Sequence, residues 1–504
     1  MSSDAPKNVD GSRDEEQVPD WQPVARPKAA RGASPQVEKA LSDVRSKIYP
    51  RAVTAGIYAR WRIILVYFTQ IIFYGLPWLQ WNDRQAVLFD LGARKFYLFG
   101  MVMWPQDIIY LAVLLILSAF SLFLFTAIAG RLFCGYACPQ TVYTQIFMWV
   151  EHKVEGDRLA RIRLDEAPWS LKKLRLKATK HSIWVLIAFW TGFTFIGYFA
   201  PIRELGAALI TLSLGPWQWF WLVFYSIATW GNAGFLREAV CKYMCPYARF
   251  QSVMVDDDTF VVSYDHVRGE PRGGRSRRID HKEAGMGDCV NCSLCVQVCP
   301  TGIDIREGLQ YMCIGCGACV DVCDQVMDKM NYDKGLIRYT SGRAITERLT
   351  QSDVRQKMLR PRVLIYIGLL AFITAMFVFS LATRHTLRMD VIRDRGVLGR
   401  EIPGGYIENI YRLQLMNTSE TPLVVELSAD GIPGITISTV NQNGNRVTIP
   451  AASNELIPVH VQIPIDLGLS EGMHDVEITA QTVVEDGSRS VETVSEASRF
   501  YVPR

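Results

Sequence analysis

Eight cysteines between residues 289 and 323 repeat one spacing twice, Cys289-x-x-Cys292-x-x-Cys295-x-x-x-Cys299-Pro300 and Cys313-x-x-Cys316-x-x-Cys319-x-x-x-Cys323. Three close thiols followed by a fourth form the ligand run of two cubane iron-sulfur clusters, in which the fourth cysteine of each run reaches the other cluster. Cys289, Cys292, Cys295 and Cys323 are therefore assigned to one 4Fe-4S centre, and Cys313, Cys316, Cys319 and Cys299 to the second. Structural zinc fits less well, because zinc motifs usually pair Cys-x-x-Cys with a distant second half. So short a run leaves no room for a conventional apolar core; the clusters would be its core, and the chain reads as an electron carrier.

The other four cysteines form a second pattern, Cys134-Gly-Tyr-Ala-Cys138-Pro139 and Cys241-Lys-Tyr-Met-Cys245-Pro246. Two equal spacings, each closed by proline, read as one paired site. A spacing of four on a helix would put both sulfurs on one side, about 5–6 Å apart at the β-carbons. Soft thiolates select cuprous copper, zinc or iron-sulfur units. The residues alone leave three uses open: a copper site, a third iron-sulfur cluster or a redox-cycling dithiol. Met244, inside the second pair, reads as packing.

Long apolar elements must carry these motifs, since the 504 residues are 49% hydrophobic, more than one soluble domain would show. Five stretches approach the roughly 20 residues of a spanning helix: 61–81, 108–130, 183–200, one within 208–236 interrupted at Gly215-Pro216, and 363–382. Residues 131–182 are rich in Lys and Arg, whereas 82–107 offer only Arg84, Arg94 and Lys95. The positive-inside rule then puts the 131–182 loop, the N-terminus and the cysteine-rich segment in the cytoplasm, and residues 383–504 in the periplasm. A reducing compartment suits the thiolates. Residues 1–44 are polar, lack the apolar core of a signal peptide and read as a disordered cytoplasmic tail.

The expected fold is a multi-domain membrane protein with about five transmembrane α-helices, a cytoplasmic two-cluster ferredoxin-like domain and a C-terminal immunoglobulin-like β-sandwich. Its parts are the tail 1–44, a four-helix region 45–240, a cytoplasmic region 241–362 with the ferredoxin-type segment near 280–330, a fifth helix 363–382, and the sandwich 383–504. The sandwich rests on period-two alternation, as in Leu423-Val424-Val425-Glu426-Leu427, and about seven strands fit. It reads as a docking or stabilising module. His460 and His474 read as surface histidines, and His152 and His181 as solvated ones. The arginines at 268, 272, 275, 277 and 278 read as a basic loop on anionic lipid. A net charge of +4 gives nucleic-acid binding no support.

The runs Gly130-Arg131-Leu-Phe-Cys134-Gly-Tyr-Ala-Cys138-Pro139-Gln140 and Cys241-Lys-Tyr-Met-Cys245-Pro246-Tyr247-Ala248-Arg249-Phe250-Gln251, with the double cysteine run and Gly335-Leu336-Ile337-Arg338-Tyr339, resemble the cytochrome c oxidase accessory proteins of the FixG, CcoG or RdxA type. The likeness covers nearly the whole chain after about residue 45, although Cys323 is followed by Asp324 where a generic ferredoxin has proline. The resemblance implies an inner-membrane oxidoreductase that reduces cupric to cuprous copper for the cbb3-type oxidase. On that view Cys134, Cys138, Cys241 and Cys245 hold copper and the other eight cysteines feed it electrons. Implied partners are the bilayer, oxidase assembly and copper transport proteins, an unidentified electron donor and a second copy of the chain. Two other classes stay open: a quinol-linked polyferredoxin, for which Gln106-Asp107 is the one polar candidate at a span edge, and a non-catalytic assembly scaffold.

Overall fold

The computed structural model describes residues 48–53, 55–277, 280, 282–348, 360–393, 399–439, 444–483 and 491–503. The expected tail 1–44 and Arg278 lie outside them. The chain opens with α1 (Ile57–Gly75), a small sheet of β1 (Val87–Asp90), β2 (Lys95–Leu98) and β3 (Met101–Met103), then α2 (Ile108–Ala129), the short α3 (Leu132–Tyr136), α4 (Pro139–Glu155), α5 (Leu171–Ile196), α6 (Pro216–Gly231) and α7 (Pro246–Met254). The two cysteine runs follow, between β4 (Val261–Tyr264) and β5 (Ile337–Thr340), with α8 (Ala318–Met330) holding the end of the second; α9 (Pro361–Ala382) leads to the sandwich.

Among the described residues two helices are long and apolar enough to cross a membrane, α2 with its preceding turn and α9. They pack side by side. Arg384, just past α9, bonds Asp107, just before α2, at 2.6 Å. At the other end Arg360 donates to the Ala127 carbonyl at 2.8 Å, so the pair runs antiparallel. A helix of 22 residues spans about 33 Å; the cysteine motifs therefore sit at one end of the pair and the sandwich at the other.

The other three expected spans fall on α1, on the second half of α5 and on α6. α6 stops after 16 residues, and α5 carries Lys172, Lys173, Arg175, Lys177 and Lys180 in its first half. Pro216 opens α6 at its first position, where proline's missing N–H costs nothing. The stretch before it is a separate helix, Ile202–Ile210. The sheet β1–β3 was not foreseen, because strands of three or four residues are too short to show a period.

Among its described residues the sandwich has nine strands, where about seven were expected: β6 (Leu387–Arg393), β7 (Arg400–Ile402), β8 (Tyr406–Asn417), β9 (Leu423–Asp430), β10 (Thr436–Thr439), β11 (Arg446–Ile449), β12 (Asn454–Pro464), β13 (Gly472–Thr482) and β14 (Thr493–Val502). One sheet runs β10-β12-β8-β6 with β7 on β8; the other runs β11-β9-β13-β14. Alternate residues such as Leu413, Leu415, Val425, Leu427, Val461 and Ile478 are fully buried between them, as a two-sided pleat dictates. The sandwich is seated on the loop after α1: Glu420 accepts from Asn82 at 2.6 Å and pairs with Arg84, and Lys95 donates to the Ala452 carbonyl at 2.7 Å.

His460 departs from its expected role. Its Nδ1 lies 2.9 Å from buried Glu408 on the neighbouring strand, while His474 is half-buried with its Nε2 2.7 Å from the Ser470 carbonyl oxygen. Burial works to raise the Glu408 carboxyl, but hydrogen bonds from Gln462 and Arg400 and the charges of His460 and Arg400 outweigh it and hold the group below the usual range. A depressed carboxylate gives stability that is present above its unfolded value of about 4.3 and lost as pH falls through the folded value. Thermal unfolding between pH 7 and pH 3 is therefore expected to show a falling midpoint below about pH 4, and a weaker fall in Glu408→Gln.

Candidate iron-sulfur and thiol centre

All twelve cysteines are described, and none is in a disulfide. Cys289, Cys292, Cys295 and Cys323 line one cavity, whose remaining wall includes Leu294, Val322, Val326 and Leu336. Cys299, Cys313, Cys316 and Cys319 line a second, which Cys295 also touches. The two loops are built alike. In each, the residue before the second cysteine and the one after it have positive φ: Asn291 (52°) and Ser293 (55°), then Gly315 (62°) and Gly317 (70°). Such left-handed steps turn successive backbone N–H groups into a concavity that suits anionic clusters, and Asn or Gly are the residues that adopt them at least cost.

Burial pushes the thiols up, to about 12 for Cys313 and Cys323 and about 11 for Cys295, with Cys319 well above its ordinary value. Thiols buried among apolar walls and other sulfurs ionise only if a cation compensates them. Iron does so, and two four-sulfur cavities with apolar lining fit two clusters of the dicluster type.

The two Cys-x-x-x-Cys-Pro units differ from a continuous helix. Proline breaks each one: Cys138 and Cys245 have extended ψ values of 127° and 112° and stand as N-caps of α4 and α7. Each closes with the same i to i−5 bond, Cys138 N–H to the Phe133 carbonyl at 3.0 Å and Cys245 N–H to the Val240 carbonyl at 2.9 Å. One sulfur of each unit thus sits at the positive end of a helix dipole, where negative charge is favoured.

The units are tied to each other. Cys134 lies 3.4 Å from the amide oxygen of Gln251 on α7, buried Arg131 donates to the Ala248 carbonyl, and Gln140 donates to the carbonyls of Asn232 (2.9 Å) and Arg237 (3.1 Å) before Cys241. Burial, then the Cys138 charge, drives the Cys134 thiol to about 12, and burial with Cys138 and Cys245 drives Cys241 to about 11; Arg131 opposes both. Among the described residues no three Cys, His, Asp or Glu side chains converge on one ion, and this holds for the eight cavity-lining cysteines as well as for these four.

The thiol pair abuts the second cavity. A β-carbon on Gly135 would lie 2.8 Å from the Ile314 carbonyl oxygen and 2.9 Å from that of Gly315. Tyr136 donates to the Cys316 carbonyl at 3.3 Å and Tyr339 to that of Gly315. Cys134 packs on the apolar cluster of Val298, Ile314, Cys316 and Ala318. Only glycine at 135 allows this approach, a role its place between two cysteines hides. Asp321, inside the second run, was likewise missed: its carboxylate accepts from the N–H groups of Tyr58 (3.2 Å) and Ala59 (2.7 Å) and caps α1.

Several polar residues are employed internally. Glu151 is buried and bonds Arg161 (3.2 Å), Lys180 (3.4 Å) and Arg237 (2.7 Å), and Glu155 bonds Lys177 (2.8 Å) and Lys180 (2.9 Å). Part of the basic loop that set the orientation is therefore neutralised inside the fold. Arg237 itself holds φ of 39°, rare for a residue with a side chain. Glu151→Ala would leave three cations short of their partner, with an expected cost of about 3–5 kcal/mol, measured as a lowered unfolding midpoint. His181 stacks on Phe235 and meets Trp184 and Trp230 edge-on rather than facing solvent, and His152 lies 3.3 Å from Asp157. In the arginine loop, Arg268 pairs with Asp288 and Arg275 donates to the Gly287 carbonyl at 2.6 Å; these two fold back on the first cysteine run instead of meeting lipid. Asp107 is buried between Arg384 and Arg388 and pairs with both.

Residues 236–342 match the family described as a 4Fe-4S dicluster domain, residues 111–156 a 4Fe-4S binding domain, and residues 377–503 the Ig-like fold at the C-terminus of FixG. The nitrogen fixation protein FixG of Rhizobium meliloti (strain 1021) is 37% identical over 476 residues, covering 87% of this chain and 89% of its own. The chain belongs to the FixG family. Protein RdxA of Cereibacter sphaeroides is 38% identical over 429 residues, 83% of this chain and 90% of its own. A crystal structure of a FixG-related protein from Vibrio parahaemolyticus aligns with 23% of this chain and 97% of its own, at 20% identity and a TM-score of 0.20. This FixG-family chain is an iron-sulfur protein of oxidoreductase type, with 4Fe-4S domains and a C-terminal Ig-like domain.

Proposed function

We propose that the chain reduces cupric to cuprous copper at Cys134, Cys138, Cys241 and Cys245, for maturation of a cbb3-type oxidase. The observation that carries this reading is the contact of Gly135 with the Ile314–Gly315 backbone, which sets the four thiols against the loop of the second cysteine run. When bound, the 4Fe-4S clusters supply single electrons. The first is held by Cys289, Cys292, Cys295 and Cys323, and the second by Cys299, Cys313, Cys316 and Cys319. Copper is the substrate: Cu²⁺ would gain the one electron that the clusters supply, and the thiols of Cys134, Cys138, Cys241 and Cys245 would give up protons as they bind the product. Soft thiolates hold cuprous copper better than cupric, so the four sulfurs favour the product of the step. Arg131 offsets part of their mutual repulsion.

The setting is a bacterial inner membrane, crossed by α2 and α9 and by the helices near 61–81, 183–200 and 208–236. Exposed Ile64, Tyr67, Phe68 and Ile71 on α1 and Phe220, Phe224 and Ile227 on α6 support it, since such apolar faces need a partner or lipid. The cysteine motifs lie on the cytoplasmic side and the sandwich in the periplasm.

A second reading has its own support. The 4Fe-4S match over 111–156 includes Cys134 and Cys138; the four thiols would then hold a third cluster. Metal analysis of anaerobically purified protein separates the two. Copper reduction expects about eight iron atoms plus copper that vanishes in a variant with all four cysteines changed to alanine, whereas loss of about four iron atoms from about twelve assigns a third cluster.

A further inference from the structure

The two thiol units share more than their cysteine spacing. Each is preceded, at the fourth residue before its first cysteine, by a backbone break of the same shape. Gly130 ends α2 at φ 54° and ψ −116°, and Arg237 ends the wide turn Asn232–Leu236, which continues α6, at φ 39° and ψ −110°. Glycine takes a positive φ without strain. It also fits the packing at 130, where a β-carbon would stand 2.9 Å from the Val261 side chain. At 237 the same break is made by an arginine, which holds such a conformation only where its surroundings force it. The contacts of its side chain show what the strain secures.

The Arg237 side chain is 10% exposed and pairs with buried Glu151 on α4 at 2.7 Å. Its Nε donates to the Gly234 carbonyl at 2.9 Å, one turn back, and its own carbonyl accepts from Gln140 at 3.1 Å. Gln140 and Glu151 are about three turns apart on one face of α4, the helix that Cys138 caps. Arg237 therefore grips that helix at two points, while Cys241 follows it by four residues. We infer that Arg237 is the positioning residue of the thiol centre: by clamping its turn to α4 it holds Cys241 beside Cys138, as a soft cation shared between the two units requires. Thiols on separate chain segments can share one ion only if the segments keep a fixed separation, which residues behind the ligands must supply. A glycine at 237 would ease the backbone but could not reach Glu151. The inference rests on the four thiols forming one site for cuprous copper, and it says what holds the two halves of that site together.

The test uses the full chain, purified anaerobically with its iron, and takes two readings. Competition with a cuprous chelator gives the affinity for Cu⁺. Dibromobimane, which bridges two neighbouring thiols, is applied to copper-free protein, and peptide mapping reports how often it joins Cys138 to Cys241. Arg237→Gly is expected to weaken Cu⁺ binding about ten- to a hundredfold, the usual effect of removing a group that orients a metal ligand, and to lower the bridging. Iron content and the unfolding midpoint should stay near wild type, since Glu151 keeps Arg161 and Lys180. Arg237→Lys should recover part of both readings, and Glu151→Gln should reproduce the loss. A wild type that binds no Cu⁺ while its bridging still follows residue 237 contradicts the copper reading and keeps the clamp. Wild-type affinity and bridging in a folded Arg237→Gly chain, absence of the bridge from the wild type, or a loss that comes with lost iron and is not recovered by lysine overturns the clamp.

Discussion

Replacing Cys323 by serine is expected to remove about four iron atoms and to do so from the cavity of the first cysteine run, although Cys323 belongs to the second. The reason is placement on α8. Cys319 opens into the cavity shared with Cys313 and Cys316, while Cys323, one helical turn on, faces Cys289 and Cys292. Residues four apart lie on nearly the same face, so a small rotation at the start of α8 is enough to divide the two sulfurs between neighbouring cavities. Combined substitutions read the assignment directly. Cys292→Ser with Cys323→Ser should lose no more iron than either alone, because both break the same centre. Cys316→Ser with Cys323→Ser should lose about eight atoms, because the sites are independent. The opposite pattern would put Cys323 with its own run.

Gly135→Ala is expected to slow electron delivery to copper by about a hundredfold, the scale set by an ångström of misplacement at a reacting centre, while iron content stays at its wild-type value. The added β-carbon would stand 2.8–3.0 Å from the Ile314 and Gly315 carbonyl oxygens and the Cys316 α-carbon. All three are backbone, and none can rotate aside. The short α3 would have to retreat, taking Cys134 with it and drawing Tyr136 from the Cys316 carbonyl. Stopped-flow reoxidation of the reduced protein by Cu²⁺ gives the rate, and iron analysis of the same sample separates a displaced thiol site from a collapsed cluster domain. A rate equal to wild type would mean that electrons do not pass at this contact.

Local spacing made the cysteine chemistry legible. Thiols three residues apart can share one cluster whatever the rest of the chain does, and the eight cysteines line two adjacent cavities, with Cys295 touching both. The sandwich was legible for a similar reason, because alternation over strands of 8 to 12 residues such as β9 and β8 is long enough to register; short β7, β10 and β11 fell below that length. The partners of the thiol centre were not legible. Gly135 matters because a carbonyl more than 170 positions away approaches it, Asp321 because α1 begins beside it, and Gln251 because α7 folds back on α3. The helical picture of the Cys-x-x-x-Cys pairs failed at proline, which favours an N-cap conformation for the residue before it. Counting cations by position likewise overlooked that Arg161, Lys177 and Lys180 are paired with buried or half-buried acids.

Electron transfer from the cluster domain to copper at the four thiols is tested most directly by electron paramagnetic resonance on anaerobically reduced protein mixed with one equivalent of Cu²⁺. The expected result is loss of the cupric signal together with one equivalent of the reduced-cluster signal, and persistence of both signals when Cys134, Cys138, Cys241 and Cys245 are replaced by alanine with the iron of the other eight cysteines retained. A cupric signal that survives beside reduced clusters in the wild type, or a variant that reduces copper just as fast, would contradict it.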